Sequence, residues 1–168
     1  AADRLQGRDG VVCYVSNNSF IGQVAFDGFR SSMLKDFTRI HHVDLHGNVR
    51  ENPKLSGTTH NVFGIQVGVG ITVAIRKGKA RANRVHYFRI DEDWRRHQKL
   101  AWLTERQTIG SVDWQELQPD AKNNWLVPKH ATQFGEFLSI GDKRARASNN
   151  SQSEAIFKMY SPGINSAR

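Results

Sequence analysis

Cysteine is nearly absent: Cys13 is the single one in 168 residues, beside two methionines and four prolines. One thiol permits no disulfide within the chain, and its place in an apolar run predicts a small buried hydrophobe, as in a reducing cytoplasm. No apolar run approaches the roughly 20 residues that cross a bilayer, and the first ten residues lack the apolar stretch and cleavage pattern of a signal peptide. No membrane partner is therefore expected, and a cytoplasmic location is. Catalytic fingerprints are also scarce. Gly68-Val69-Gly70 lies inside a strand pattern with no helix after it, which disfavours a phosphate cradle. No Gly-x-Ser-x-Gly elbow occurs, and Asp91, Glu92 and Asp93 read as a helix cap rather than a paired acid and base. Adjacent His41 and His42 point to opposite faces of a strand, with no clustered carboxylate or cysteine to complete a metal set with His46. Low-complexity tracts and internal repeats are missing as well.

Positive charge is abundant. Twenty-four Lys and Arg face 16 Asp and Glu, giving a net charge of +8 and a pI near 10.0, an excess that favours nucleic acid among anionic partners. It gathers at Arg76, Lys77, Lys79, Arg81 and Arg84, and again at Lys143, Arg144 and Arg146. The length suits one domain, or one and part of a second, and 38% hydrophobic residues suffice for a modest core.

The stretch Asn61 to Lys77, NVFGIQVGVGITVAIRK, organises the rest. Ile65, Val67, Val69, Ile71, Val73 and Ile75 recur every second residue, while the other parity carries nothing larger than Gln66, so a neighbouring element can approach closely there. Phe63 stands before this run, at the mouth of the sheet. Upstream, Ala1 to Arg8 reads as the end of a helix closed at Arg8-Asp9-Gly10, with Gly10 as a left-handed cap. Val11 to Ser16 reads as a buried strand of a parallel sheet, followed by a polar corner at its carboxyl end, where open sheets place their ligands. Asp27 to Phe37 predicts an amphipathic helix with Phe29, Met33, Leu34 and Phe37 inward. Arg39 to Leu45 completes a βαβ unit, and the long polar loop from Gly47 to His60 carries Arg50 and Lys54. Arg84 to Ile90 predicts a hairpin partner for the central strand. Asp93 to Arg106 predicts a helix with Trp94, Leu100, Ala101 and Leu103 as its apolar stripe. Short aromatic-bearing segments follow, with a boundary between 106 and 111.

The succession VVCYVSNNSFI, FRSSMLKDF, IHHVDLHGN and NVFGIQVGVGITVAIRK resembles the carboxyl-terminal half of the catalytic domain of gamma-class N6-adenine DNA methyltransferases. It is most similar to the versions within single-polypeptide restriction–modification enzymes. The match is strong from Val11 to Lys77 and looser over VHYFRI, WRRHQKLAWL, Trp125-Leu126 and FKMYSPG. The resemblance implies an α/β fold: a partial Rossmann-like methyltransferase sheet, mixed and with a terminal β-hairpin, over 1–106, then a linker and an irregular target-recognition segment over 107–168. It implies that Phe63 stacks on a flipped adenine, because an exocyclic amine cannot be reached inside a stacked duplex, and that Asn17, Asn18 and Phe20 wall the crevice. Arg50, Lys54, Arg76, Lys77, Lys79, Arg81, Arg84, Lys143, Arg144 and Arg146 become candidates for contacts to the backbone of double-stranded DNA. The family's S-adenosylmethionine loop and NPPY motif belong upstream of residue 1, so cofactor is expected in the full-length enzyme and not on these residues. The open sheet edge is expected to pair with the missing amino-terminal half or with a second copy. A non-catalytic DNA-binding module is the alternative that the same residues allow.

Overall fold

The computed structural model describes residues 2–52, 59–78, 83–128, 133, 136–141 and 155–157. The chain divides into two compact units, Ala1–Val127 and Pro128–Arg168. The first contains α1 (Ala2–Leu5), β1 (Gly10–Asn17), α2 (Ser19–Gly22), α3 (Asp27–Asp36), β2 (Arg39–Asp44), β3 (Val69–Arg76), β4 (Arg84–Arg89), α4 (Arg96–Arg106) and β5 (Gln115–Leu117). The second contains β6 (Ser139–Gly141) and β7 (Ala155–Phe157), which pair in parallel.

The first unit is built on one mixed sheet in the order β1-β3-β2-β4-β5. Strand β3 runs antiparallel to both β1 and β2, so β1, α3 and β2 form the expected βαβ unit with β3 inserted between its strands. This arrangement corrects two expectations. Strand β1 is not buried in a parallel sheet: it is antiparallel to β3 and its residues alternate between exposed and half-buried. Arg84 to Ile90 is not a hairpin partner of β3; β4 crosses over to pair in parallel with β2 and accepts β5 on its far side.

Both faces of the sheet are covered, unequally. On one, Phe20, Ile21, Met33, Phe37, Ile40, Ala74, Val85, Tyr87 and Trp125 form the main core. Gly70, Thr72 and Ala74 of β3 are buried on this side, so the parity with small side chains is indeed the one packed closely. On the other face, Val43, Leu45, Val62, Val69, Ile90 and Trp102 form a second cluster beneath α4. Its cover stops short of β1, where Val11, Cys13 and Val15 are exposed. Cys13 is thus a surface thiol and not a buried hydrophobe.

Smaller expectations shift too. The left-handed residues after α1 are Gln6 and Gly7 rather than Gly10, which begins β1. Phe29 of α3 is 46% exposed, and the helix buries Arg30 in its place. Helix α4 starts at Arg96, with the Gln98 side chain accepting from the Arg95 N–H at 2.8 Å. Its buried residues are Lys99 and Trp102, whereas Leu100 and Ala101 face outward. The first unit also runs past 106: Leu117 and Trp125 belong to the main core. Arg30 explains the attachment, donating to the Phe20, Gln23 and Asn123 carbonyls and to Asn124 Oδ1 at 2.5 to 3.1 Å.

Candidate functional site

Because β3 opposes its neighbours, one end of the sheet collects the carboxyl ends of β1, β2 and β4 with the amino end of β3. Asn17 and Asn18, Asp44, Arg89 and Gly68 therefore converge. Between them lies a cleft of about 500 Å³, lined by Asn18, Asp44, Asn48, Arg50, Gly68 and Arg89 among others.

The floor of the cleft is a closed polar network. Asp44, 5% exposed, accepts from Tyr87 Oη at 2.8 Å, Arg89 Nε at 3.2 Å, the His46 N–H at 2.8 Å and Asn18 Nδ2. Burial alone raises the pKa of this carboxyl; His46, Tyr87 and Arg89 together outweigh burial and hold it below the usual range. His42 is fully buried and lies between Thr72 Oγ1 at 2.9 Å and Asn18 Oδ1 at 3.2 Å. With Asn18 Nδ2 committed to Asp44 and to the Val69 carbonyl, His42 Nε2 donates to Asn18 Oδ1 and Nδ1 accepts from Thr72. Burial lowers the His42 pKa to about 4, so the ring is neutral at pH 7. Only glycine fits at position 70, because a Cβ there would stand 2.5 Å from the His42 ring.

Phe63 stands beside this end, on a loop rather than in the strand. Strand β3 begins at Val69, so Ile65 and Val67, although in register with its alternation, precede it. Asn61 accounts for the late start. Fully buried, it donates through Nδ2 to the Val67 carbonyl at 2.7 Å and the Gly47 carbonyl at 3.3 Å. Its Oδ1 accepts from the Phe63 N–H at 2.9 Å and the Ile65 N–H at 3.4 Å. Backbone groups that would otherwise join a ladder are thereby occupied. The Phe63 ring, 59% exposed, is left facing outward.

The other anticipated residues separate. Asn18 lines the cleft. Asn17 is exposed and caps the turn by accepting from the Ser19 N–H at 3.2 Å. Phe20 is not a crevice wall: it is 5% exposed and packs edge-on against His42, Phe29 and Trp125. Arg50 is exposed at the cleft. Arg76 and Lys77, by contrast, leave the far end of β3, seven residues from Val69, or about 23 Å at the rise of a strand. Arg84 starts β4 at that same far end, beside Glu116 at 3.9 Å. None of these three cations lines the cleft, and neither does Phe63, whose loop reaches it through the Asn61 bond to the carbonyl of Val67, a lining residue. Lys54, Lys79, Arg81, Lys143, Arg144 and Arg146 lie outside the described residues. Sequence reasoning missed Asp44, Tyr87, Arg89 and Asn61; the signal was the position of Asp44 and Arg89 at strand ends and of Asn61 before the alternation, whereas Tyr87, inside β4, gave none.

No family model matches this chain, and neither does any curated protein. Solved structures do, and they define the class: the fold is shared with segments of DNA-bound restriction–modification enzymes. The chain is similar to the ATP-dependent Type ISP restriction–modification enzyme LlaBIII bound to DNA, at 30% identity and a TM-score of 0.72, over 93% of this chain and 10% of that one. It is also similar to a nuclease-deletion mutant of the Type ISP enzyme LlaGI with a DNA substrate mimic, at 26% identity and a TM-score of 0.72, over 85% and 14%. The DrdV–DNA complex matches at 34% identity and a TM-score of 0.72, over 94% of this chain. The chain spans 16% of the DrdV chain's length.

Proposed function

We propose that this chain is the part of an adenine-specific DNA methyltransferase, within a restriction–modification enzyme, that receives the extruded base. The observation that carries the reading is an exposed Phe63 ring on a loop pinned by buried Asn61, which also holds the carbonyl of Val67, a residue lining the polar cleft at the carboxyl ends of β1, β2 and β4. A base leaving the stack loses contacts on both faces, and a ring fixed in advance restores one of them without an ordering cost. Such stacking is worth about 1–3 kcal/mol per base. Arg50, which lines the cleft, is assigned contact with the adjoining backbone in this reading.

The reaction in this reading is transfer of a methyl group from S-adenosylmethionine to adenine N6. The cleft is a poor fit for that cofactor, since both oxygens of its one deeply buried carboxylate, Asp44, already accept two hydrogen bonds each. Cofactor and the groups that hold the amine are therefore assigned to other segments of the enzyme. The open surface suits such a partner: among the described residues no strand pairs with β1 on the side away from β3, and Val11, Cys13 and Val15 present an uncovered apolar row. The test is chemical. Full-length protein incubated with duplex DNA and S-adenosylmethionine should yield N6-methyladenine on nucleoside digestion. DNA binding with no methylated base would instead favour a non-catalytic DNA-binding module.

A further inference from the structure

Helix α4 has no residue in the cleft, yet it holds the loop that carries Phe63. Lys99 is fully buried with no carboxylate among its hydrogen-bond partners in the described residues; its ammonium donates to the Leu45 carbonyl at 2.7 Å and the His60 carbonyl at 2.6 Å. The first of these carbonyls belongs to the residue after β2 and the second to the residue before Asn61. The Arg96 N–H reaches the Thr59 carbonyl at 2.9 Å, and His60 Nδ1 donates to the Trp94 carbonyl at 3.3 Å. Asn61 continues the chain of bonds to Gly47, Phe63, Ile65 and Val67. The fit at Gly47 is tight: its φ of +87° suits glycine, and a Cβ there would stand 2.9 Å from Asn61 Cα.

A buried ammonium is costly, and two carbonyl acceptors offset that cost only while both stay in place. Lys99 thus ties Leu45, the residue after β2, to the start of the Phe63 loop, and Asn61 relays the constraint two residues further. We infer that Asn61 and Lys99 are positioning residues for base capture, fixing the backbone of the loop that presents the Phe63 ring without touching DNA. The inference rests on the proposed stacking role of Phe63.

The experiment uses the full-length protein and two duplexes, one fully paired and one carrying a single mismatched 2-aminopurine, whose extrusion costs less. The quantity compared is the ratio of the two affinities, together with hydrogen exchange of the Phe63 and Ile65 amides. Phe63→Ala should lower the ratio by roughly 5- to 150-fold. Asn61→Ala and Lys99→Met should each lower it by roughly 2- to 10-fold, the worth of one or two lost hydrogen bonds. Asn61→Ala should also expose both amides to exchange. Lys99→Met keeps the side-chain volume and removes the buried charge, so it tests the idea even where Asn61→Ala fails to fold. An unchanged ratio in Phe63→Ala removes the base-capture reading itself. An unchanged ratio in Asn61→Ala and Lys99→Met, with Phe63→Ala impaired and the amides released, overturns the positioning role alone. Equal weakening on both duplexes marks Asn61 and Lys99 as structural only and overturns it too.

Discussion

The two ends of the central sheet hold polar residues of opposite habit. At the end beside Phe63, Asp44, His42, Asn18, Asn61 and Lys99 are at least partly buried and each is committed to at least two hydrogen bonds. At the other, Lys77 and Arg84 are exposed, and the Arg84 guanidinium forms a surface ion pair with Glu116. The first end is rigid chemistry and the second is solvated charge. Net charge alone marks the second end as the DNA-facing one; burial and hydrogen bonding mark the first as the place where a ligand's position can be controlled.

The contrast is broken most severely at Asp44. Asp44→Ala removes the acceptor shared by Tyr87, Arg89 and the His46 N–H and one of the two that Asn18 Nδ2 uses, and should cost about 3 kcal/mol in urea denaturation. Acid should act on the same network. In the unfolded chain His42 takes a proton near pH 6.5, in the folded one only near about 4. Between these values the unfolded state binds more protons, so stability falls as pH drops from 6.5 toward 4, by up to about 3 kcal/mol. Asp44, held low by its donors, adds to the loss as pH falls through its folded value. His41, lowered to about 4 by burial and then by His86 and Arg39, contributes in the same window, so His42→Gln should flatten the profile only in part. Arg50→Gln should reduce the salt dependence of DNA affinity by roughly one counterion. The smallest effect is expected at the far end: Arg84→Gln should change stability by less than about 0.5 kcal/mol and leave the 2-aminopurine affinity ratio where it was.

Much of the fold was legible because apolar patterning is a direct imprint of secondary structure: β1, α3 and β2 lie where it places them, and β3 ends where it does. Strand partners were not legible. Nearness in sequence suggested that β4 folds back on β3, but β3 already has β1 and β2 on its two edges. The outer edges of β1 and β2 remained, and β4 takes that of β2. The start of β3 was misjudged because alternation records side-chain faces and not backbone bonding, and Asn61 takes the bonds that Ile65 and Val67 would need. Buried charge was the hardest to foresee. Arg30 and Lys99 look like ordinary helix-surface cations in sequence, and only their carbonyl partners, 7 to 94 and 39 to 54 residues away, make burial affordable. Phe63 was readable as an aromatic before a sheet; its exposure and its anchor were not.

The central claim is tested most directly by the fluorescence lifetime of a mismatched 2-aminopurine duplex saturated with full-length protein, compared with the Phe63→Ala variant. A ring in contact with the extruded base should impose its own lifetime component, lost in the variant while affinity for paired DNA is retained. Identical lifetimes in the two proteins would contradict the account.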